Sequence, residues 1–148
     1  MVRCLVASCI LIALLTVRPQ PVAATRHALG SAPTRSPRDP QAFVANYEGN
    51  PGGSVSIIDT ITNQVVGTLI TGRSPIDVAV NPVQQRAYVV NYQSSDISVI
   101  DTSTDTILTT IRTGPNPTTV AVDPTGRTAY VGQSGSTSHI FILDLVLN

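Results

Sequence analysis

From Gln41 onward the chain is a succession of short alternating apolar runs separated by turn residues. No run keeps the 3.6-residue period of an amphipathic helix, and Val, Ile and Thr dominate, so the pattern predicts strands. The middle of the chain shows the unit most clearly. Ile76 to Val80 alternates and stops at Asn81-Pro82, because proline cannot donate to a sheet ladder. Ala87 to Tyr92, Asp96 to Asp101 and Thr106 to Arg112 are the next three predicted strands. Between the last two, Thr102-Ser103-Thr104-Asp105 is turn chemistry: short polar side chains that bond nearby backbone groups. All connections are too short for crossovers, which predicts an antiparallel meander.

The unit recurs. Asp59, Asp101 and Asp144 fall at intervals of 42 and 43 residues. "SPIDVAVNP" (Ser74 to Pro82) is answered by "NPTTVAVDP" (Asn116 to Pro124), and "AFVANY", "AYVVNY" and "AYVGQS" begin at Ala42, Ala87 and Ala129. Four strands in a period near 42 residues is the signature of a β-propeller blade. The predicted fold class is therefore all-β, with antiparallel four-stranded blades in an incomplete propeller of about 2.5–3 blades. The first unit supplies three strands (Ala42–Tyr47, Ser54–Asp59, Gln64–Ile70), the second supplies four and the third three. Closed rings use about 4–8 blades. Terminal blades leave apolar faces uncovered, and no polar cap is present. This predicts self-association, pairing with another propeller or protein, or a truncated version of a longer propeller. In such an assembly, a charge at Val99 or Ile100 is expected to block association.

The first 40 residues differ in kind. Arg3 followed by the nearly apolar run Cys4 to Val17 and the small residues Val22-Ala23-Ala24 has the layout of a secretory signal peptide over 1–24, with cleavage expected after Ala24. The run is shorter than the ~20 residues that span a bilayer, so no stable membrane span is expected after cleavage; the alternative is an uncleaved leader retained as an anchor. Residues 25–40 carry three prolines and few apolar side chains, and read as a disordered linker. The repeat domain then covers 41–148. Both cysteines, Cys4 and Cys9, lie in the leader, so the mature chain has no disulfide or thiol chemistry, and stability must come from packing. An extracytoplasmic location follows: secreted, periplasmic or cell-surface.

Charge adds an exclusion. The formal net charge of zero divides into +4 over residues 1–40 and −4 over 41–148. A mildly acidic repeat region without a basic cluster argues against nucleic acid as a partner.

The tetrapeptides "FVAN" (Phe43 to Asn46) and "YVVN" (Tyr88 to Asn91), each followed by "VSIIDT" (Val55 to Thr60) or "ISVIDT" (Ile97 to Thr102), resemble the YVTN-type β-propeller repeat family of exported and surface-layer proteins. The third copy departs, with "YVGQ" (Tyr130 to Gln133) and "IFILDL" (Ile140 to Leu145). The resemblance implies a propeller architecture shared with lactonase-like and lyase-like enzymes.

In a meander, alternate turns share one edge. Asn46, Tyr47, Arg73, Asn91 and Tyr92 fall on that edge and form the candidate binding face. Catalytic chemistry is thin. Glu48 is the lone glutamate and His139 the lone histidine of the repeat region, so no acid–base pair is evident. No catalytic residue, metal ligand set or cofactor is assigned. Asp59, Asp101 and Asp144 read as strand-ending caps of the turns that follow. Asn46 and Asn91 read as structural hydrogen-bonders, and Tyr47 and Tyr92 as packing residues that could also serve contact. The predicted function is an exported, non-enzymatic repeat protein acting as a binding or surface-associated scaffold. The alternative is a fragment of a lactonase-like or lyase-like propeller enzyme.

Overall fold

The computed structural model describes residues 12–14, 40–47, 52–135 and 139–146, with backbone alone for 12–14. The expected cleavage point after Ala24, nearly all of the expected linker, and Glu48 lie outside these residues. The described residues form eleven strands and no helix. They are β1 (Ile12–Leu14), β2 (Gln41–Asn46), β3 (Ser54–Asp59), β4 (Gln64–Ile70), β5 (Pro75–Asn81), β6 (Arg86–Asn91), β7 (Asp96–Asp101), β8 (Thr106–Arg112), β9 (Pro117–Val122), β10 (Thr128–Gln133) and β11 (Ile140–Asp144).

They pair in three antiparallel sheets: β1-β2-β3-β4, β5-β6-β7-β8 and β9-β10-β11. The repeat is visible in the registers. Phe43 faces Ile57 across the first sheet, Tyr88 faces Val99 across the second, and Tyr130 faces Ile142 across the third. A register shift between Ile57 and Ile58 recurs between Val99 and Ile100, so even the bulge that twists the outer hairpin is repeated.

Local chemistry fixes the hairpins. Several turns end on a left-handed residue: Asn63, Gln85, Ser95 and Asp105, with φ between 55° and 59°. A turn closed by one left-handed residue matches the strand twist. Asn and Asp tolerate that conformation through local side-chain bonding. Gln85 and Ser95 carry no such signal, and their conformation was not legible from residue type.

The second sheet is apolar on both faces, because it lies between the other two. Tyr88, Val90, Ile97 and Val99 form one core with Val120, Ala129, Val131, Leu143 and Leu145 of the third sheet. On the opposite face Ala87, Val89 and Ile100 join Phe43, Val55 and Ile57 of the first sheet. The period-2 alternation of the strands thus feeds two cores rather than one core and solvent. Burying side chains such as Tyr88, Ile97, Phe43 and Ile57 contributes about 1.5–3 kcal/mol each.

Two expectations change. The first sheet has four strands rather than three, because residues 12–14, inside the expected leader, pair antiparallel with β2 through Ile12↔Val44 and Leu14↔Ala42. Val99 and Ile100 are not association residues either. They point to opposite sides of β7 and are fully packed inside the chain, so a charge at either would break the fold itself.

Candidate binding face

The β2–β3 and β6–β7 turns and the β4–β5 and β8–β9 connections meet along one edge, and their backbones bond to one another. Thr71 N donates to Gly53 O at 2.9 Å and Gly53 N to Gly72 O at 3.2 Å. Next along, Tyr92 N donates to Ser74 O and Gln93 N to Arg73 O, at 2.9 and 3.1 Å. Thr113 N reaches Ser95 O, and Ser134 N reaches Asn116 O. Each loop therefore holds the next, which makes the edge a continuous pinned ridge rather than a set of free tips.

The five candidate residues divide on this ridge. Tyr47 and Arg73 are exposed, Tyr92 is half-buried, and Asn91 is fully buried. Asn91 donates from Nδ2 to Asp96 Oδ1 at 2.8 Å and to Ser98 Oγ at 2.9 Å. Asn46 occupies the same place in the first sheet and donates to Ser54 Oγ and Ser56 Oγ at 3.0 and 2.9 Å. Both asparagines are thus engaged in tying the end of their own hairpin. Close packing accompanies this: a Cβ on Gly72 would sit 2.7 Å from Asn91 Cγ and against Ser94 Oγ. Asn91 Oδ1 and Thr71 Oγ1, both beside this contact, are buried without a hydrogen-bond partner.

The three repeated aspartates are likewise committed to turns. Asp59 Oδ1 accepts from Ile61 N and Thr62 N, Asp101 Oδ1 from Ser103 N and Thr104 N, and Asp144 Oδ1 from Val146 N. The Ser103 hydroxyl, with these amides, holds the Asp101 carboxyl below the ordinary carboxylate range. The Thr125 hydroxyl does the same for Asp123. Burial pushes the Tyr88 hydroxyl up.

Sequence reasoning missed the polar ties between sheets. Asp77, buried at the centre of β5, accepts from its neighbour Val78 N and, across the interface, from Thr119 Oγ1 and Val120 N. Asn81 Nδ2 donates to Gly126 O, 45 positions on, and Gln84 Nε2 donates to Leu145 O. The available signal was the repeat alignment, in which Asp77 stands opposite Thr119 and Asn81 opposite Asp123, so that polar residues flank the shared Val-Ala-Val in both copies.

No group of three or more His, Cys, Asp or Glu side chains that could hold a metal occurs among the described residues. His139 is exposed immediately before β11. No helix of the described residues is long and apolar enough to cross a membrane.

Fold and edge together define an all-β repeat protein with a polar loop ridge. No family model matches the chain, and no curated protein matches it. Among solved structures it is similar to hydrazine synthase of Kuenenia stuttgartiensis, with 32% sequence identity and a TM-score of 0.68. The match covers 76% of this chain and 31% of that one, so this chain spans about a third of that chain's length.

Proposed function

We propose that the three sheets are successive blades of a β-propeller of the YVTN-repeat type, exported from the cell, whose loop ridge serves as a non-enzymatic binding or surface-attachment face. The carrying observation is repetition with commitment. Asn46 and Asn91, and Asp59, Asp101 and Asp144, hold the same places in successive sheets and are used there in local hydrogen bonds. A scaffold needs such residues in every copy, whereas a reacting centre needs them once, converging.

The radial arrangement of blades is supported by the order of packing. The edge strands β5 and β9 lie side by side, as do β1 and β5, and the sheets stack through two cores built from corresponding positions. The likeness to hydrazine synthase supports a shared fold over the matched part. Its activity does not transfer with that likeness, since most of that chain has no counterpart here.

Export carries a structural consequence. Cleavage after Ala24 removes β1 and uncovers the β2 edge at Ala42 to Val44. The test is expression of the full chain in a bacterial host, followed by mass spectrometry of each cell fraction. The reading expects a product beginning at Thr25, outside the cytoplasm and retained by the envelope. Retention should fall in a Tyr47→Ala/Arg73→Glu variant. An intact cytoplasmic product, or retention indifferent to both substitutions, sinks the corresponding half of the proposal.

A further inference from the structure

The first strands of the three sheets share one pattern. Val78, Ala79 and Val80 of β5 pair with Val89, Tyr88 and Ala87. Val120, Ala121 and Val122 of β9 pair with Val131, Tyr130 and Ala129. In β1, Ile12, Ala13 and Leu14 pair with Val44, Phe43 and Ala42, in the same order and the same direction. Every sheet therefore sets a branched–Ala–branched triplet against a Val–aromatic–Ala triplet. The place of β1 is also the same, because it lies against β5 as β5 lies against β9.

The backbone shows what β1 supplies. Hydrogen-bonded and non-bonded pairs alternate along an antiparallel ladder. Thr60 N donates to Pro40 O at 3.1 Å, which sets the phase of β2 against β3. Ala42 and Val44 then turn their backbone groups to β3, and Phe43 turns its N–H and C=O to β1, where Ala13 is its partner. The third sheet has the same phase: Asp123 N donates to Thr128 O at 2.9 Å, which makes Ala121 and Tyr130 a bonded pair. Phe43 is 1% exposed in the folded chain, and its buried backbone groups require such a partner.

We propose that Ile12–Leu14 is a surrogate first strand, and that folding of the first sheet and export of the chain compete for these three residues. The proposal rests on the export reading above and adds a second state of the leader to it. The three residues lie inside the apolar run Cys4 to Val17, which has to be free of the sheet to act as a leader. While they pair with β2, the run is withheld from export. Once they are withdrawn or cut off, Phe43 loses its partner and the edge of β2 opens. The leader thus carries two readable patterns in one segment: an apolar run for targeting, and a copy of the repeat's own first strand.

The experiment compares the full chain with two proline variants. Proline lacks the N–H that the Ala13–Phe43 pair uses, so Ala13→Pro breaks the pairing. Ala7→Pro puts the same residue into the same apolar run outside β1. Hydrogen exchange of the purified chains should find the Phe43 amide slow in the unsubstituted chain and in Ala7→Pro, and about tenfold or more faster in Ala13→Pro. The Val89 amide, in the second sheet, should be slow in all three. Pulse–chase labelling in a bacterial host should find Ala13→Pro exported and processed severalfold faster than Ala7→Pro. A Phe43 amide that stays slow in Ala13→Pro overturns the strand assignment. Loss of Val89 protection there overturns it too, because a surrogate strand has to be dispensable to the other sheets. Equal export of the two variants overturns the competition and leaves the export reading standing. Absence of processed product from all three chains fails the export reading itself, and the competition with it.

Discussion

Asp77 and Thr119 stand at the same position of successive repeats, and the Thr119 hydroxyl donates to the Asp77 carboxylate at 2.7 Å across the boundary between two sheets. The same oxygen accepts from Val120 N at 2.8 Å. A buried carboxylate is tolerated because its oxygens are bonded, and removing it leaves amides unpaired. Asp77→Ala should cost about 2–4 kcal/mol of unfolding free energy, and Thr119→Val about 1. Urea denaturation of the double-mutant cycle should return a coupling of about 1–2 kcal/mol. A coupling indistinguishable from zero would remove this tie from the account.

The two ridge asparagines should respond differently to the same change. Asn91→Asp places a carboxylate against Asp96 in a fully buried site, with the loss of the Nδ2 donor, and should cost about 2–4 kcal/mol. Asn46→Asp faces two serine hydroxyls that can turn to donate, and should cost about 1 kcal/mol or less. Thermal unfolding of the two variants side by side gives the comparison; equal losses would contradict the structural assignment.

Backbone conformation predicts opposite signs at two turns. Gly126 has φ +71°, and a Cβ there would lie 2.6 Å from Asn81 Oδ1, so Gly126→Ala should destabilise by about 1–3 kcal/mol. Gln85 is also left-handed, at φ 55°, but without a turn-forming side chain. Gln85→Gly should raise the unfolding free energy by up to about 1 kcal/mol. Differential scanning calorimetry reads both, and a stabilising Gly126→Ala would reject the geometry.

Acid should weaken the fold through its turns. The carboxyls of Asp101 and Asp123 are held below the ordinary carboxylate value in the folded chain, so the folded state binds fewer protons than the unfolded one as pH falls through that range. Their contribution is complete above the unfolded carboxylate pKa and is lost as pH drops through the folded one. The urea midpoint should therefore be flat near neutrality and fall in acid. Asp101→Asn should flatten part of that fall, and an unchanged acid slope in the variant would contradict the assignment.

Much of the architecture was legible because strand alternation and turn residues act locally. Strands β3, β4, β7 and β8 fall where alternation put them, and the 42-residue spacing of Ser74–Pro82 and Asn116–Pro124 aligns β5 with β9. The pairing of Ile12–Leu14 with β2 was not legible, since an apolar run carries no period that distinguishes a leader from a strand. Nor could residue type show that β7 is buried on both sides: Val99 and Ile100 are equally apolar, and only the neighbouring sheets reveal that each serves a different core. At the ridge, the candidate residues were placed on one edge by meander logic. The burial of Asn91 and the interlocked loop backbones depend on contacts between separate loops, whose bonded residues lie 18 to 20 positions apart, and no local pattern encodes them.

The most direct test of the stacked-repeat account is a methyl and aromatic NOE measurement at the boundary between the second and third sheets. The Tyr88 ring should show NOEs to methyls of Val120, Val131 and Leu143, alongside the cross-strand Val90–Ile97 contact within its own sheet. Retention of the Val90–Ile97 contact with no NOE from Tyr88 to the third sheet would show that the sheets form without stacking, and would contradict the account.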